Sequence, residues 1–353
     1  MSEMKHERPG VYSVYDASAV VTAGRGNKTV GVAAKAVRGT VGEAVVATGY
    51  AAGVAAFGED VTPGMSTILR LLFSNGAATV VAVRVADEGA LADYEAAFEV
   101  LGRRDAQIVV CDSAELTVQQ ALRTAVESAS SQRRERIAVV GGSGDTAAEL
   151  VTRAAALNCE RMVLVGPDAL DSAGKTLAGV FAAAALAGVL ADGGDPAIPL
   201  NGAEMAGLSG LAEDYSDNDI DLLVRGGVTP LESVAGVISP VRGITTRTTT
   251  GGVADTTWRE LTTILIVDDI IPTLRASLRS RFARAKNTVR GRGAIRSQVI
   301  VELEKKVAAE IIDSYGEVTV TASPEDPTVC LVEFSFAVAH GLNQIYLTVH
   351  ITV

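Results

Sequence analysis

The sequence predicts a mixed fold, α/β in its middle and α+β toward its C-terminus, with extended β-arms at both ends. Three observations predict it. Over residues 62–195, short apolar runs alternate with helical patterns of about 10–15 residues, as in a parallel sheet with flanking helices on both faces. Beyond residue 256, two long helical patterns precede segments that alternate apolar and polar residues, which implies C-terminal helices plus antiparallel strands. At the termini, "VYSVY" and "QIYLTVHITV" alternate with a period of two, and the second is expected to end on an apolar edge with no partner strand after it.

The elements follow in order. Residues 1–16 read as an N-terminal arm, because Pro9 fixes φ and disfavours helix at Arg8 while Gly10 adds freedom. Residues 17–61 form a glycine-rich β segment. Within it, 29–58 is expected to be strands with turns or close approaches at Gly31, Gly39, Gly42 and Gly49. No helix is expected before Ser66. The α/β domain, 62–195, opens with the helix in "TPGMSTILRLLFSNG", whose stripe is Ile68, Leu69, Leu72 and Phe73 and whose stop is Gly76. Strands at 79–85, 107–112, 136–142 and 161–167 then alternate with helices near 91–101, 115–130, 145–157 and 174–191.

A composition break, "ADGGDPAIPLNG", separates this domain from a C-terminal domain at 196–340. Residues 203–256 carry weak strands. A helix over 256–282 places Leu261, Ile264, Leu265, Ile271, Leu274 and Leu278 as core, and Pro272 should kink it or end its first half. A second helix spans 294–312, and "EVTVTA", "TVCLVEFSFAVA" and the terminal segment make three strands. Residues 341–353 form the C-terminal strand arm, with Ile345, Leu347, Val349, Ile351 and Val353 on one face and Tyr346, Thr348, His350 and Thr352 on the other.

Composition bounds the function. At 353 residues, two or three domains fit, and 48% hydrophobic residues are too many for a disordered chain. Aromatics are only 4%, so the cores must be built from Ala, Val, Leu and Ile. A net charge of −11 makes a poor general binder of nucleic acid or anionic membrane. Charge is unevenly spread. Residues 270–306 hold ten Lys/Arg against two acids, an excess of eight, and the remainder of the chain carries −19. Such a division suits copies that stack on one another, and the basic stretch reads as an inter-subunit salt-bridge surface. Cys111, Cys159 and Cys330 are widely spaced in apolar runs, which suits free thiols in a reducing compartment. The start is polar, unlike a secretory signal. The longest apolar run, 177–190, is about six residues short of a membrane span.

Candidate chemistry fails on spacing. "SAGKT" (172–176) needs a glycine where Ala169 stands to be a phosphate loop, and otherwise reads as a helix start capped by Ser172. "VVGGSGDT" reads as a plain strand–helix turn. Asp268 and Asp269 of "VDD" point about 100° apart on a helix, so surface solvation or an ion pair with a basic neighbour fits better than a shared metal. His6, His340 and His350 have no ligand spacing. "GLSGL" (207–211) does not form a nucleophile elbow. Asp112, Asp145 and Asp168 at strand ends could serve an enzyme or, more simply, cap helices. No catalytic centre, cofactor site or metal site is expected.

The chain resembles the contractile tail sheath proteins of phages and phage-like particles. The segments that carry the resemblance are "ERPGVYSVYDAS", "TVGVAAKAVRGTVGEAVVAT…AFG", "ISPVRGITTRTTTGGVADTTWRELTTILIVDDI" and "KNTVRGRGAIRSQVIVELEKK", with the terminal strand, in this order. It looks like a short sheath without the extra domains of longer relatives. The resemblance implies a non-enzymatic subunit of hexameric rings, stacked helically around an inner tube, that contracts to drive the tube forward. It implies that Pro9, Gly10, Val11, Tyr12 and Val14 of one arm, and Ile345, Tyr346, Leu347, Val349, Ile351 and Val353 of the other, add strands to sheets in neighbouring copies. Arg275, Arg279, Arg284, Lys286, Arg290 and Arg292 become tube or inter-subunit contacts. Implied partners are other copies, the inner tail tube protein, and baseplate and tail terminator proteins, with no nucleic acid and no membrane insertion. Implied localisation is assembly in the bacterial cytoplasm and residence in a virion or phage-like tail. Another self-assembling tube or shell protein, or an α/β enzyme with a small-molecule site, are the competing readings.

Overall fold

A computed structural model describes residues 28–343 together with Leu347 and Thr348. The first half contains β1 (Val30–Lys35), β2 (Ala44–Ala47), α1 (Tyr50–Phe57), α2 (Met65–Ser74), β3 (Val80–Val85), α3 (Leu91–Gly102), β4 (Ile108–Cys111), α4 (Leu116–Ser131), β5 (Ile137–Gly141), α5 (Ala147–Leu157) and β6 (Met162–Gly166). Next come β7 (Ala169–Leu170), β8 (Thr176–Leu177), α6 (Gly179–Asp192), β9 (Gly210–Leu211), α7 (Asp217–Arg225), β10 (Thr229–Val234), β11 (Val237–Pro240), β12 (Thr249–Thr250) and β13 (Val253–Ala254). The C-terminal part has α8 (Leu261–Phe282), α9 (Val289–Ala308), β14 (Ile312–Tyr315), β15 (Thr319–Ala322), β16 (Cys330–Glu333) and β17 (Phe336–Val338).

The central sheet has eight strands in the order β11-β10-β6-β5-β4-β1-β3-β2. Its interior pairings are parallel, and an antiparallel strand closes each end, β11 on β10 and β2 on β3. Period-two alternation places each strand's side chains in two cores. Val30, Val32, Ile108, Val110, Val163 and Val165 face α2 and α6, while Ala33, Val83, Val109, Val140 and Leu164 face α3, α4 and α5. The sheet thus draws on strands from residues 30–240, on both sides of the expected segment limits at 61 and 195.

The apolar run at 177–190 forms α6, buried on nearly every side between the sheet and α2. A helix apolar all round belongs inside a protein when it is too short to cross a bilayer, and no helix among the described residues is long and apolar enough to do so. Small residues let it sit close. A Cβ on Gly141 would lie 2.1 Å from the Gly179 carbonyl carbon.

In the C-terminal part, α8 and α9 pack with two separate hairpin-like pairs, β14 with β17 and β15 with β16. Helix α8 serves two cores at once. Leu261, Ile264, Leu265 and Val267 join the core shared with α6, whereas Ile266, Ile270 and Leu274 join Val299, Leu303 and Ile312 in the C-terminal core. Ile271 and Leu278 are partly buried against the latter.

Several expectations are corrected. Residues 50–57, read as strand, are the helix α1, because a run of alanine lacks a decisive period and favours helix locally. Residues 217–225 form the helix α7, started by a Ser216–Asp219 capping box that the reading of weak strands overlooked. "SAGKT" is the turn and second strand of a β7–β8 hairpin, and Asp171 rather than Ser172 organises it by accepting from the Ala173 and Lys175 amides. Helix α6 begins only at Gly179. Helix α8 begins at Leu261, not at 256, and is one helix through Pro272. Helix α9 ends at Ala308, and 312–315 is strand. The segment 328–339 divides into β16 and β17. Of the expected C-terminal strand, Leu347 and Thr348 are described. Neither is in a strand within the single chain, and Leu347 is 86% exposed. Pro9, Gly10, Val11, Tyr12, Val14, Ile345, Tyr346, Val349, Ile351 and Val353 lie outside the described residues.

Candidate assembly surfaces

The two ends of the described chain meet on one ledge. Lys28, just before β1, donates its backbone N–H to the Ala191 carbonyl at 3.1 Å, and its Nζ to the carbonyls of Leu190 and Gly193 at 3.4 and 3.3 Å. It lines a cavity of about 150 Å³ with Asp195, Pro199, Asn201, Glu260 and Thr262. Burial lowers the pKa of its ammonium, opposed by the charges of Asp269 and Asp268. At the other end, a Cβ on Gly341 would lie 2.9 Å from Pro199, and Asn201 Nδ2 donates to Asn343 Oδ1 at 2.9 Å. Here a second, open cleft of about 460 Å³ is lined by Pro199, Arg242, Arg259, Glu260, Thr262, His340 and Asn343. Pro199, Glu260 and Thr262 form the wall between the two. Sequence reasoning marked 191–202 only as a composition break. Nothing local reveals that residues 28, 201, 260 and 343 converge.

The basic stretch divides into free and committed charges. Arg279, Arg284, Lys286 and Arg290 are exposed near the α8–α9 turn and make no ion pair among the described residues. Arg275 is turned inward, 12% exposed, and pairs at 2.8 Å with Glu135, itself 5% exposed, so it braces α8 against the sheet domain. The Arg292 guanidinium donates to Asn287 Oδ1 at 2.8 Å.

The acid pair on α8 shows why adjacent helical positions serve different neighbours. Asp268 receives two bonds from Arg161, at 2.6 and 2.9 Å, across to the sheet domain. Asp269 receives Lys306 of α9 at 2.9 Å. Burial raises the pKa of both carboxyls, opposed by Arg161 for Asp268 and by Lys306 and Lys28 for Asp269. The pair is buried rather than solvated.

The acids at strand ends are committed too. Asp112 accepts from the Lys35 amide at 2.8 Å and the Tyr94 hydroxyl at 2.6 Å. Asp145 pairs with Arg153 at 2.8 Å. Asp168 accepts from the Gly144 and Gly179 amides at 2.8 and 2.7 Å. Asp112 ties the end of β4 to β1 and α3, and Asp145 and Asp168 hold the loops that lead into α5 and α6. Among the described residues no group of His, Cys, Asp and Glu is placed to hold a metal ion.

Against this geometry, two family models match in order: the phage tail sheath protein central domain over residues 90–246, and the phage tail sheath C-terminal domain over 253–352. The tail sheath protein of Bacillus phage SP01 is 29% identical over 250 residues, which are 69% of this chain and 42% of that protein. The matched stretch therefore spans less than half of that relative's length. Among solved structures, the sheath tail protein of Listeria innocua superposes with a TM-score of 0.72 at 12% identity, covering 92% of this chain and 94% of the other. The contracted helical sheath of the anti-feeding prophage gives 0.71 at 14% identity, covering 98% and 99%. At such identities the structures establish a shared fold. Two consecutive sheath-domain matches across most of the sequence establish the lineage: the chain belongs to the phage tail sheath protein family.

Proposed function

We propose that this chain is the structural, non-enzymatic subunit of a contractile tail sheath, polymerising as stacked hexameric rings around an inner tube and contracting to drive that tube through a target envelope. The observation that carries the reading is the pair of sheath-domain matches in series, 90–246 then 253–352. Residues 1–16 and 341–353 act as strand-donating arms, with main-chain hydrogen bonds to neighbours supplying affinity. Arg279, Arg284, Lys286 and Arg290 form the electrostatic contact to the tube or an adjacent subunit, since they are exposed and uncommitted. Arg275 leaves that set because Glu135 holds it. Partners are other copies, an inner tail tube protein, and baseplate and terminator proteins. Assembly occurs in the bacterial cytoplasm, and the finished place is a virion or phage-like tail. Contraction draws on newly buried interface, about 25 cal/mol per Å² of apolar area before ordering costs.

Negative-stain electron microscopy of the purified full chain tests this. Long hollow cylinders are expected. Discrete particles or solitary molecules at high concentration overturn the reading.

A further inference from the structure

We propose that the roots of the two terminal segments are mechanically coupled through the 193–201 loop, so that loosening one root loosens the other while the interior of the central sheet is bypassed. The coupling needs a shared, anchored element with few parts, and the ledge supplies one. Lys28 Nζ holds the front of the loop through the Gly193 carbonyl. Pro199 packs on Gly341 at the back. Asn201 spans both sides, lining the Lys28 cavity while donating to Asn343. Asn201 Oδ1 is buried and accepts no bond among the described residues, where the side chain is held by its contact to Asn343. The loop is moored just beyond Asn201, where the Gly202 amide donates to Pro240 at 3.1 Å. Motion at either root is therefore passed along the loop and not into a free end.

The path avoids the sheet interior. From Lys28 to Asn343 it crosses the loop and the start of α8 at Glu260, whereas β4, β5 and β6 lie behind α6. The consequence for assembly rests on the sheath reading. Load arriving on one arm from a neighbour would leave through the other arm with little strain on the α/β core, and a subunit could be displaced as a rigid body during contraction.

Coupling free energies are reciprocal, which makes the idea testable on the isolated full chain by hydrogen exchange. In Lys28→Met, amides of residues 339–343 should exchange about fivefold faster or more, the range of coupling between residues sharing a partner. In Asn343→Ala, the amide of Lys28, which bonds to the Ala191 carbonyl, should accelerate by the same factor. Amides of Val109 and Val110, inside the sheet, should keep their rates in both. Acceleration confined to the substituted root overturns the proposal. If Lys28→Met speeds exchange everywhere, the reciprocal variant decides: an unchanged rate at Lys28 overturns it and an accelerated rate there upholds it. These readouts need no polymer, so failure to form cylinders would sink the sheath reading and leave this result standing.

Discussion

Replacing Asp268 by alanine should unlock α8 from the sheet domain. Arg161 is 5% exposed on its side chain and Asp268 15%, and two charge-assisted bonds join them. Removing the carboxylate withdraws the charge against which the guanidinium is buried, and breaking such a pair costs about 3–5 kcal/mol. With about 2.1 cal/mol/K of unfolding entropy per residue, a 353-residue chain loses about 1 °C in Tm for every 0.7 kcal/mol, so a fall of about 4–7 °C is expected. The contrast is the double variant Arg161→Met/Asp268→Leu. It removes both charges and keeps apolar volume, which is often neutral or stabilising. Its remaining cost includes the bond from Arg161 to the Arg136 carbonyl, about 1 kcal/mol. The double variant should therefore unfold within about 2 °C of the parent in a calorimetric or circular-dichroism melt. Equal losses in the single and double variants would refute the claim that an uncompensated charge is the cause. An unchanged single variant would refute the pair's importance altogether.

Two further outcomes follow from exposure and burial. Arg279→Glu/Arg284→Glu should leave the monomer's stability within about 0.5 kcal/mol, because both side chains are exposed and uncommitted, yet should shorten or abolish cylinders seen by electron microscopy; normal lengths and normal contraction would remove these residues from the contact. Burial pushes the Cys111 thiol up to about 12 and raises Cys159 as well, whereas Cys330 is only partly buried. At pH 8 only about one Cys111 in ten thousand is a thiolate, so iodoacetamide should label Cys330 first, and labelling of Cys111 should rise toward pH 12 or with denaturant. Fast modification of Cys111 in the folded protein at pH 8, read by peptide mass spectrometry, would contradict its place in the sheet.

Where hydrophobic period and turn chemistry agree, the elements were legible. Helices α2, α3, α4 and α5 and strands β3, β4, β5 and β6 lie within a few residues of their expected limits, because each strand is a short Val-rich run and each helix presents one apolar face. Legibility failed where composition was too uniform or too polar. "YAAGVAAF" has no polar face to set a period, and α7 has one fully buried side chain, Leu223, among its charges. The extent of the sheet was hidden for a different reason: β1 and β10 are local strands whose partners, β4 and β6, lie beyond a helix or a long connection.

The basic stretch shows how far a local reading reaches and where three dimensions take over. Sequence counts ten positive charges over 270–306 without distinguishing them. The structure sorts them by helix face: Arg275 and Lys306 turn inward to Glu135 and Asp269, while Arg279, Arg284, Lys286 and Arg290 remain at the turn. The same sorting explains why two neighbouring acids stand in the middle of α8. A helix wedged between two cores needs a polar tie on each side, and consecutive residues about 100° apart supply one to Arg161 and one to Lys306. The two ties together raise the cost of separating the C-terminal part from the sheet domain.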